Sequence, residues 1–209
     1  MFITFEGCEG CGKSTQARLL HSNLRSRGIP VVLTREPGGT PLGSSVRNLL
    51  KSRQDFDINP ETELMLFNAC RAQLVKDVIR PALDTGKTVI CDRFSDSTIV
   101  YQGYGRGLNL SQIEYVNMIA TGGIKPDITI LLDEDPKLGL ERKHDLEADR
   151  FDNESISFHR KVREGYLLEA SKDPERWTVI QAQQPIESIS KDILGIVLSR
   201  LGKVVEDDR

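Results

Sequence analysis

The most constraining feature of this chain lies near its start, where an apolar run at residues 2–6 leads directly into the segment GCEGCGKS at residues 7–14. This segment matches the phosphate-loop pattern G-x-x-x-x-G-K-[ST] and stands between a predicted strand and a predicted helix, as the pattern requires. The glycines allow successive backbone N–H groups to face inward, and the following helix adds the positive end of its dipole. The segment therefore predicts an α/β fold with a polyphosphate site after the first strand.

The residues of the phosphate loop have expected roles in binding ATP and Mg²⁺. Lys13 is expected to bridge the outer phosphates, and the Ser14 hydroxyl is expected to help hold Mg²⁺ against them. The residues expected around ATP are Gly7, Cys8, Glu9, Gly10, Cys11, Gly12, Lys13, Ser14 and Thr15. A Cys-x-x-Cys pair such as Cys8 and Cys11 also occurs in redox and metal sites, but the chain has no second pair of similar spacing. We therefore interpret both cysteines as occupants of variable loop positions.

Short apolar runs alternate with amphipathic stretches along the chain, which is typical of a parallel sheet covered by helices on both faces. The predicted strands span residues 2–6, 31–35, 88–92, 127–133 and 177–181. The clearest helix is predicted after Asn59, a capping residue, and before Gly86. Neither an internal repeat nor a linker divides the 209 residues, so we expect a single domain over residues 1–209.

Composition argues against several classes of function. The formal net charge of -3 disfavours a protein that wraps polymeric nucleic acid, because such proteins neutralise phosphates with clustered Lys and Arg. No apolar run approaches the roughly 18 to 20 residues that cross a bilayer, so a membrane protein is not expected. Met1 runs directly into the apolar residues 2–5, with no basic region before an apolar region of the kind that a secretory signal has. This argues against a secretory signal and favours a cytoplasmic location.

An acidic residue and an arginine follow the predicted third strand. If the first and third strands are neighbours, Asp92 lies beside the phosphate loop and can orient Mg²⁺ or its water, while Arg93 can face a second anion. The chain contains no N-K-x-D motif, so a GTPase is disfavoured. An ATPase motor would use the acidic residue but has less need for the adjacent arginine.

Further arginines stand where loops are expected to converge on the cleft. Several guanidinium groups around one pocket repel each other unless an anion or acidic partners are present, so the second substrate is expected to carry a phosphate. The residues concerned are Arg35, Arg47, Arg71 and Arg93. Phe67 and Arg71 are four residues apart and share a helix face, which suits a flat pyrimidine that rests on the phenyl ring while the guanidinium donates to a carbonyl.

Taken in order, these motifs resemble bacterial thymidylate kinase. The resemblance rests on TREPGGT at 34–40, LFNACR at 66–71, DRF at 92–94 with Ser97, Tyr101 and Gln102, DRF at 149–151 and FHRKVREGY at 158–166, and it extends from residue 1 to about residue 182. It implies a P-loop three-layer sandwich with a five-stranded parallel sheet and a homodimer. It also implies Mg²⁺-dependent transfer of the ATP γ-phosphoryl group to dTMP.

The resemblance also implies roles for the residues that bind the acceptor. Phe67 would stack on thymine and Arg71 would read a thymine carbonyl, while Arg47 and Arg93 would hold the acceptor phosphate. Glu9 would touch the sugar 3′-hydroxyl or the Mg²⁺ shell, and the bulk of Tyr101 would refuse a 2′-hydroxyl. The remaining residues expected around dTMP are Arg35, Pro37, Ser97, Thr98 and Gln102.

The charged segment at residues 141–152 is expected to act as a lid over the site. The third variable position of the phosphate loop is Gly10, which contributes no charge, so the resemblance implies that the lid supplies the catalytic cation. Arg142 would stack on adenine and Arg150 would reach the phosphates. Acidic residues are interleaved at 145, 147 and 149, so the division of roles among Arg142, Lys143 and Arg150 stays open.

The reaction requires alignment of two substrates and neutralisation of charge rather than covalent chemistry by the protein. The expected catalytic residues are Lys13, Asp92, Arg93, Arg142 and Arg150, with Ser14 and Asp92 at Mg²⁺. Two other interpretations stay open: a kinase for another nucleoside monophosphate, and a regulatory module that binds ATP without transferring its phosphate. Turnover measured with a panel of monophosphates distinguishes a kinase for another nucleoside monophosphate. ADP formation that depends on the acceptor distinguishes a kinase from a regulatory module.

Overall fold

A computed structural model of the chain describes residues 1–51, 56–143 and 150–207. Its centre is a parallel sheet whose five strands lie in the order β2-β3-β1-β4-β5. The strands are Phe2–Glu6 (β1), Val31–Arg35 (β2), Thr88–Asp92 (β3), Ile128–Asp133 (β4) and Trp177–Gln181 (β5). The sequence-based prediction of the strands is confirmed, with β4 beginning one residue later than expected.

Helices connect the strands and cover both faces of the sheet. The α-helices are Lys13–Ser26 (α1), Pro41–Lys51 (α2), Pro60–Leu74 (α3), Arg80–Asp84 (α4), Ser95–Thr98 (α5), Leu110–Thr121 (α6), Pro136–Lys143 (α7), Ile156–Lys172 (α8) and Ile186–Asp207 (α9). Two π-helical segments, Val75–Ile79 and Ile99–Gly105, continue α3 and α5 without a break. Over residues 1–51, 56–143 and 150–207, no helix is both long and apolar enough to span a membrane.

Helix α3 begins as its sequence predicts. The Asn59 side chain accepts a hydrogen bond from the Thr62 N–H over 2.7 Å, and Pro60 occupies the first turn, where its missing N–H costs nothing. The helical run continues through the first π-helical segment into α4 and ends before Gly86, which has a φ of 72°. A residue without a side chain adopts this left-handed conformation without steric cost.

The core lies on both sides of the sheet. All residues of β1 and β4 are buried, as expected for central strands of a parallel sheet. Below one face, Ile3 and Phe5 pack with α1 and α9 through residues such as Leu20 and Ile193. Burial of each such side chain contributes about 1.5–3 kcal/mol. On the other face, two further apolar clusters pack against α3, α8 and the π-helical segments.

The strand order brings the phosphate loop next to the end of β3. Strand β1 pairs with β3 in parallel, with Phe5 opposite Asp92. This confirms the condition under which Asp92 was expected to lie beside the loop. Because ligands of open α/β sheets bind outside the carboxyl ends of the strands, the region above β1, β2 and β3 is where a site is expected.

Candidate active site

A cavity of about 420 Å³ opens at this edge of the sheet. Its lining contains most of the predicted site residues, namely Glu9, Gly10, Gly12, Lys13, Ser14, Thr15, Arg35, Pro37, Arg47, Phe67, Arg71, Asp92, Arg93, Ser97, Thr98, Tyr101, Gln102 and Arg142. Four predicted residues, Gly7, Cys8, Cys11 and Arg150, are not part of the lining. Three lining residues without an assigned role are Glu36, Phe94 and Phe151. Each of these three stood inside a recognised motif, so the motif was the available signal.

The phosphate loop packs directly against the start of α7. A side-chain carbon at Gly10, which has a φ of 71°, would lie 1.8 Å from the Gly139 carbonyl oxygen. A side-chain carbon at Gly139 would in turn lie 2.1 Å from the Glu9 carbonyl oxygen. Only glycine therefore fits at either position, and the absence of charge at Gly10 has a steric reason.

Lys13 and Ser14 reach two neighbouring parts of the cavity. Lys13 Nζ donates to the Cys8 carbonyl oxygen over 2.5 Å and lies 3.4 Å from Cys11 Sγ. The Ser14 hydroxyl donates to a carboxylate oxygen of Asp92. The lysine charge is thus held at the loop, while two oxygen ligands lie together at the end of β3.

The Ser14 and Asp92 pair has the chemistry of a magnesium site that a nucleotide completes. Mg²⁺ prefers oxygen ligands and is usually bound by one or two carboxylates together with phosphates and waters. In the part of the chain that the structure describes, no three His, Cys, Asp or Glu side chains cluster to hold a metal. The Ser14 hydroxyl and the Asp92 carboxylate are oxygen donors in contact with each other, so they fit Mg²⁺ held jointly by protein and phosphate.

Cys8 and Cys11 are buried free thiols. Burial raises the pKa of Cys8 to about 12, with a smaller contribution from Cys11. A thiol is nucleophilic and binds metals as the thiolate, so Cys8 is unreactive near neutral pH. Both residues fill loop positions, in agreement with the interpretation of the sequence.

Arg93 is held in an unusual backbone conformation at the centre of the site. Its φ is 72°, which few residues other than glycine adopt, and such strain is commonly kept at functional positions. Its guanidinium donates to the Gly7 carbonyl oxygen over 3.0 Å, to Glu9 over 2.8 Å and to the Tyr101 hydroxyl over 3.1 Å. Burial opposes its charge, yet Glu9 and the neighbouring phenols hold the pKa of Arg93 well above its ordinary value. The charge therefore persists across the pH range.

Arg71 is part of the cavity lining, although only 1% of its surface is exposed. Its five N–H groups donate to Glu36, Asn68, Asn117, the Phe94 carbonyl oxygen and Thr98. A guanidinium has five N–H donors, so each already has an acceptor in the protein. Reading a thymine carbonyl requires one of these bonds to be exchanged, and this role stays a prediction.

Aromatic rings form one wall of the cavity. The centroid of Phe67 lies 5.9 Å from that of Phe151, and the centroid of Tyr101 lies 6.0 Å from Phe151. The Tyr101 hydroxyl also donates to Glu9 over 3.1 Å, and Gln102 donates to the buried Glu63 over 2.7 Å. This wall has the flat apolar surface that a nucleobase requires.

The two lid arginines occupy different places. Arg142 lines the cavity, forms an ion pair with Glu134 and lies 3.4 Å from the Gly10 carbonyl oxygen. Arg150 pairs instead with Glu63 and donates to the Leu50 carbonyl oxygen over 3.0 Å. Arg150 is not part of the cavity lining, and its predicted contact with phosphates requires it to leave Glu63. Residues 144–149 of the predicted lid lie outside the described residues.

The arrangement brings a phosphate-binding loop, a magnesium-compatible pair and several guanidinium groups to one cavity. Arg47, which donates to the Pro37 carbonyl oxygen over 2.9 Å, and Arg35 add positive charge at the β2 side. One part of the cavity suits a triphosphate, and the other suits a second anion that carries an aromatic ring.

This chain is similar to known proteins over nearly its whole length. The profile of the family described as thymidylate kinase matches residues 5–193. Thymidylate kinase from Roseiflexus castenholzii is 45% identical over 98% of this chain and 95% of its own length. That from Dehalococcoides mccartyi strain BAV1 is 48% identical over 97% of each chain. The crystal structure of thymidylate kinase from Ehrlichia chaffeensis superimposes with a TM-score of 0.76 at 39% identity, covering 94% of this chain and 98% of that one.

Proposed function

The chain belongs to the thymidylate kinase family, and we propose how its residues transfer a phosphoryl group from ATP to dTMP. The activity is that of a phosphotransferase that forms dTDP. The observation that carries the assignment of residues is that the phosphate loop and the aromatic wall line the same cavity, with Arg93 bonded to both Gly7 and Tyr101. Such a cavity aligns two phosphate-bearing substrates, which is most of what phosphoryl transfer requires.

The donor side is built from the phosphate loop. The backbone N–H groups of residues 7–15 and the start of α1 hold the ATP phosphates, with Lys13 at the outer ones. Lys13 is supported in this role by its contact with the Cys8 carbonyl oxygen, which keeps the ammonium group at the loop. Gly7, Cys8 and Cys11 contribute backbone and shape rather than side chains to this side of the site.

Mg²⁺ is proposed at Ser14 and Asp92. These two residues are in contact and both present oxygen atoms to the cavity. When bound, the ion neutralises part of the charge on the phosphates. Asp92 itself orients the Ser14 hydroxyl, and we assign no other catalytic step to it.

The acceptor side uses the arginines and the aromatic wall. Arg93 and Arg47 hold the dTMP phosphate with Arg35 near them, and Phe67 stacks on thymine. The sugar and base lie against the remaining acceptor residues, which are Glu9, Pro37, Arg71, Ser97, Thr98, Tyr101 and Gln102. The Glu9 carboxylate supports Tyr101 and Arg93 at once, so it fixes the edge that faces the sugar.

The lid, residues 141–152, is proposed to supply the cation that the phosphate loop lacks at Gly10. Arg142 is the better placed of the two described lid arginines, because it already lines the cavity next to Gly10. Arg150 would take part only after release from Glu63.

We also propose that the chain forms a single kinase domain and assembles as a homodimer. Helices α3 and α6 contact each other and expose apolar side chains, including Met65, Tyr115, Met118 and Ile119 at 53–63%. Apolar side chains grouped in this way are characteristic of a protein interface. Cys8, Cys11, Cys70 and Cys91 are free thiols, which supports a reducing compartment such as the cytoplasm.

The substrate assignment is tested by steady-state turnover. ADP formation is measured with dTMP, dUMP, CMP and GMP at saturating ATP and Mg²⁺. We expect the highest kcat/KM with dTMP, then dUMP, and little turnover with the other two. A preference for a purine would contradict the thymine assignment, and ADP formation independent of any acceptor would contradict the transfer.

A further inference from the structure

Glu6 is a buried carboxylate next to the active site that has no assigned role. It is the last residue of β1, its exposure is 0%, and it is not part of the cavity lining. A buried carboxylate costs several kcal/mol unless hydrogen bonds compensate for the lost hydration. Here Oε1 accepts the Phe94 N–H over 2.8 Å, and Oε2 accepts the hydroxyls of Ser97 over 2.6 Å and Tyr166 over 2.9 Å.

The same two hydroxyls contact Arg93. Arg93 Nη1 lies 3.2 Å from Ser97 Oγ and 3.0 Å from the Tyr166 hydroxyl oxygen. A guanidinium only donates hydrogen bonds, and an ionised carboxylate only accepts them. When Glu6 is ionised, both hydroxyls donate to it, so toward Arg93 they act as acceptors. Their two oxygens also lie 2.8 Å from each other.

The backbone gives a second connection between Glu6 and Arg93. Glu6 binds the N–H of Phe94, which belongs to the peptide that follows Arg93. Arg93 has the unfavourable φ of 72°, and such a conformation persists only where its surroundings hold it. Glu6 thus fixes both the backbone and the side chain of one arginine.

We propose that Glu6 is a positioning residue that orients Arg93 toward the acceptor phosphate through the hydroxyls of Ser97 and Tyr166. This inference rests on the proposed role of Arg93 as a ligand of that phosphate. Glu6 itself touches neither substrate.

Protonation of Glu6 would disturb this arrangement. Burial, followed by the charge of Asp96 on α5, raises the pKa of Glu6 to about 7, although Arg93 opposes the shift. Tyr166 on α8 and Cys91 on β3 also face the carboxyl group. A protonated Glu6 donates to one hydroxyl, whose own proton then turns toward Arg93 or toward the other hydroxyl, so the orientation of the two hydroxyls next to Arg93 changes. Acceptor binding should therefore weaken as the pH falls below about 7.

The test compares Glu6→Gln, Arg93→Ala and the control Thr4→Val in steady-state kinetics between pH 6 and pH 8.5. Thr4 is buried two residues before Glu6 on the same strand and bonds to Thr129 rather than to Arg93. At pH 8, we expect Glu6→Gln to raise the KM for dTMP about tenfold with little change for ATP, since about 1.4 kcal/mol corresponds to that factor. The dTMP phosphate titrates near pH 6 in every variant and by itself makes the KM for dTMP depend on pH. The pH profile of this KM for the wild-type chain is therefore compared with that for Glu6→Gln. We expect a change near pH 7 in the wild-type profile that is absent from the Glu6→Gln profile.

The outcomes separate the inference from the role on which it rests. If Arg93→Ala leaves the KM for dTMP unchanged, the assignment of Arg93 is wrong. If Arg93→Ala raises that KM and Glu6→Gln does not, the positioning role of Glu6 is wrong. The same conclusion follows if Glu6→Gln raises both KM values equally, because a residue that acts through Arg93 should affect the acceptor alone.

Tyr166→Phe provides a second test, and its effect as a single variant does not depend on the folding of Glu6→Gln. It removes one hydroxyl, leaves the carboxylate in place, and concerns a residue outside the cavity lining. We expect Tyr166→Phe to raise the KM for dTMP severalfold. In the double variant with Glu6→Gln, the fold increase in this KM should be smaller than the product of the two single increases. Independent effects that multiply fully would overturn the proposal.

Discussion

Arg71 donates its Nε hydrogen to Glu36 over 2.8 Å, and the side chains of both residues are almost completely buried, at 1% and 3% exposure. Burial raises the pKa of Glu36, and the charge of Arg71 opposes that shift. The pair joins the residue after β2 to α3, and both of its members line the cavity. Arg71 therefore stabilises the fold in addition to its proposed contact with the base.

Replacement of Arg71 by alanine is expected to affect both stability and acceptor binding. The free energy of unfolding should fall by about 3–5 kcal/mol, because Glu36 is left as a buried charge without its partner. The KM for dTMP should rise much more than that for ATP. Chemical denaturation and steady-state kinetics measure the two effects. In a double variant with Glu36→Gln, stability should recover in part while dTMP binding does not; recovery of both would contradict the base-reading role.

Replacement of Lys13 by alanine is expected to abolish detectable phosphoryl transfer. The change removes charge stabilisation at the phosphates, an effect on the order of 10² to 10³ or more in kcat. It removes little core volume, so Tm should change by only a few degrees. Lys125→Ala, at an exposed lysine outside the cavity, is the control and should retain full activity. Wild-type kcat in Lys13→Ala would exclude the proposed role.

The roles of the two lid arginines are expected to differ. Arg142→Ala should lower kcat on the order of 10³ with a modest change in the KM for dTMP, as for an arginine that stabilises the transferring group. Arg150→Ala should act mainly on stability and on the KM for dTMP, since Arg150 anchors Phe151 and Glu63 beside the acceptor wall. A loss of 10³ to 10⁵ in kcat for Arg150→Ala alone would instead show that Arg150 leaves Glu63 during turnover.

The stability of the chain relative to Glu6→Gln is expected to depend on pH. Burial raises the pKa of Glu6 from 4.5 to about 7, so the folded state binds a proton that the unfolded state has released between these values. The contribution of Glu6 to the free energy of unfolding is full below pH 4.5 and decreases as the pH rises through 7, by roughly 3 kcal/mol in total. Urea titrations at pH 5, 6, 7 and 8 measure the difference. A constant difference would show that Glu6 is not titrating in this range.

The homodimer is expected to depend on the apolar surface of α3 and α6. Ile119→Asp places a charge on this surface and should shift the chain from dimer to monomer in sedimentation velocity. Ile186→Asp, at another exposed isoleucine, on α9, is the control and should remain dimeric. Sedimentation of the wild-type chain as a monomer would contradict the proposal.

Local sequence patterns were sufficient to predict the five strands and the start of α3, but not the two π-helical segments. Each strand is a short apolar run, and α3 begins at an asparagine cap followed by proline, so the relevant interactions lie within a few residues of one another. The phosphate loop is likewise a continuous segment. The candidate site was predictable to the extent that its residues belong to such motifs.

The pairing of the site residues was decided by the tertiary structure alone. Glu6 meets Tyr166 across 160 positions, and Arg150 meets Glu63 across 87 positions. Such contacts depend on how helices pack on the sheet, and no periodicity or spacing in the sequence encodes them. The sequence therefore determined which side chains are available to line the cavity. Packing determined which carboxylate holds each arginine, because charge pairing depends on the distance between groups in space.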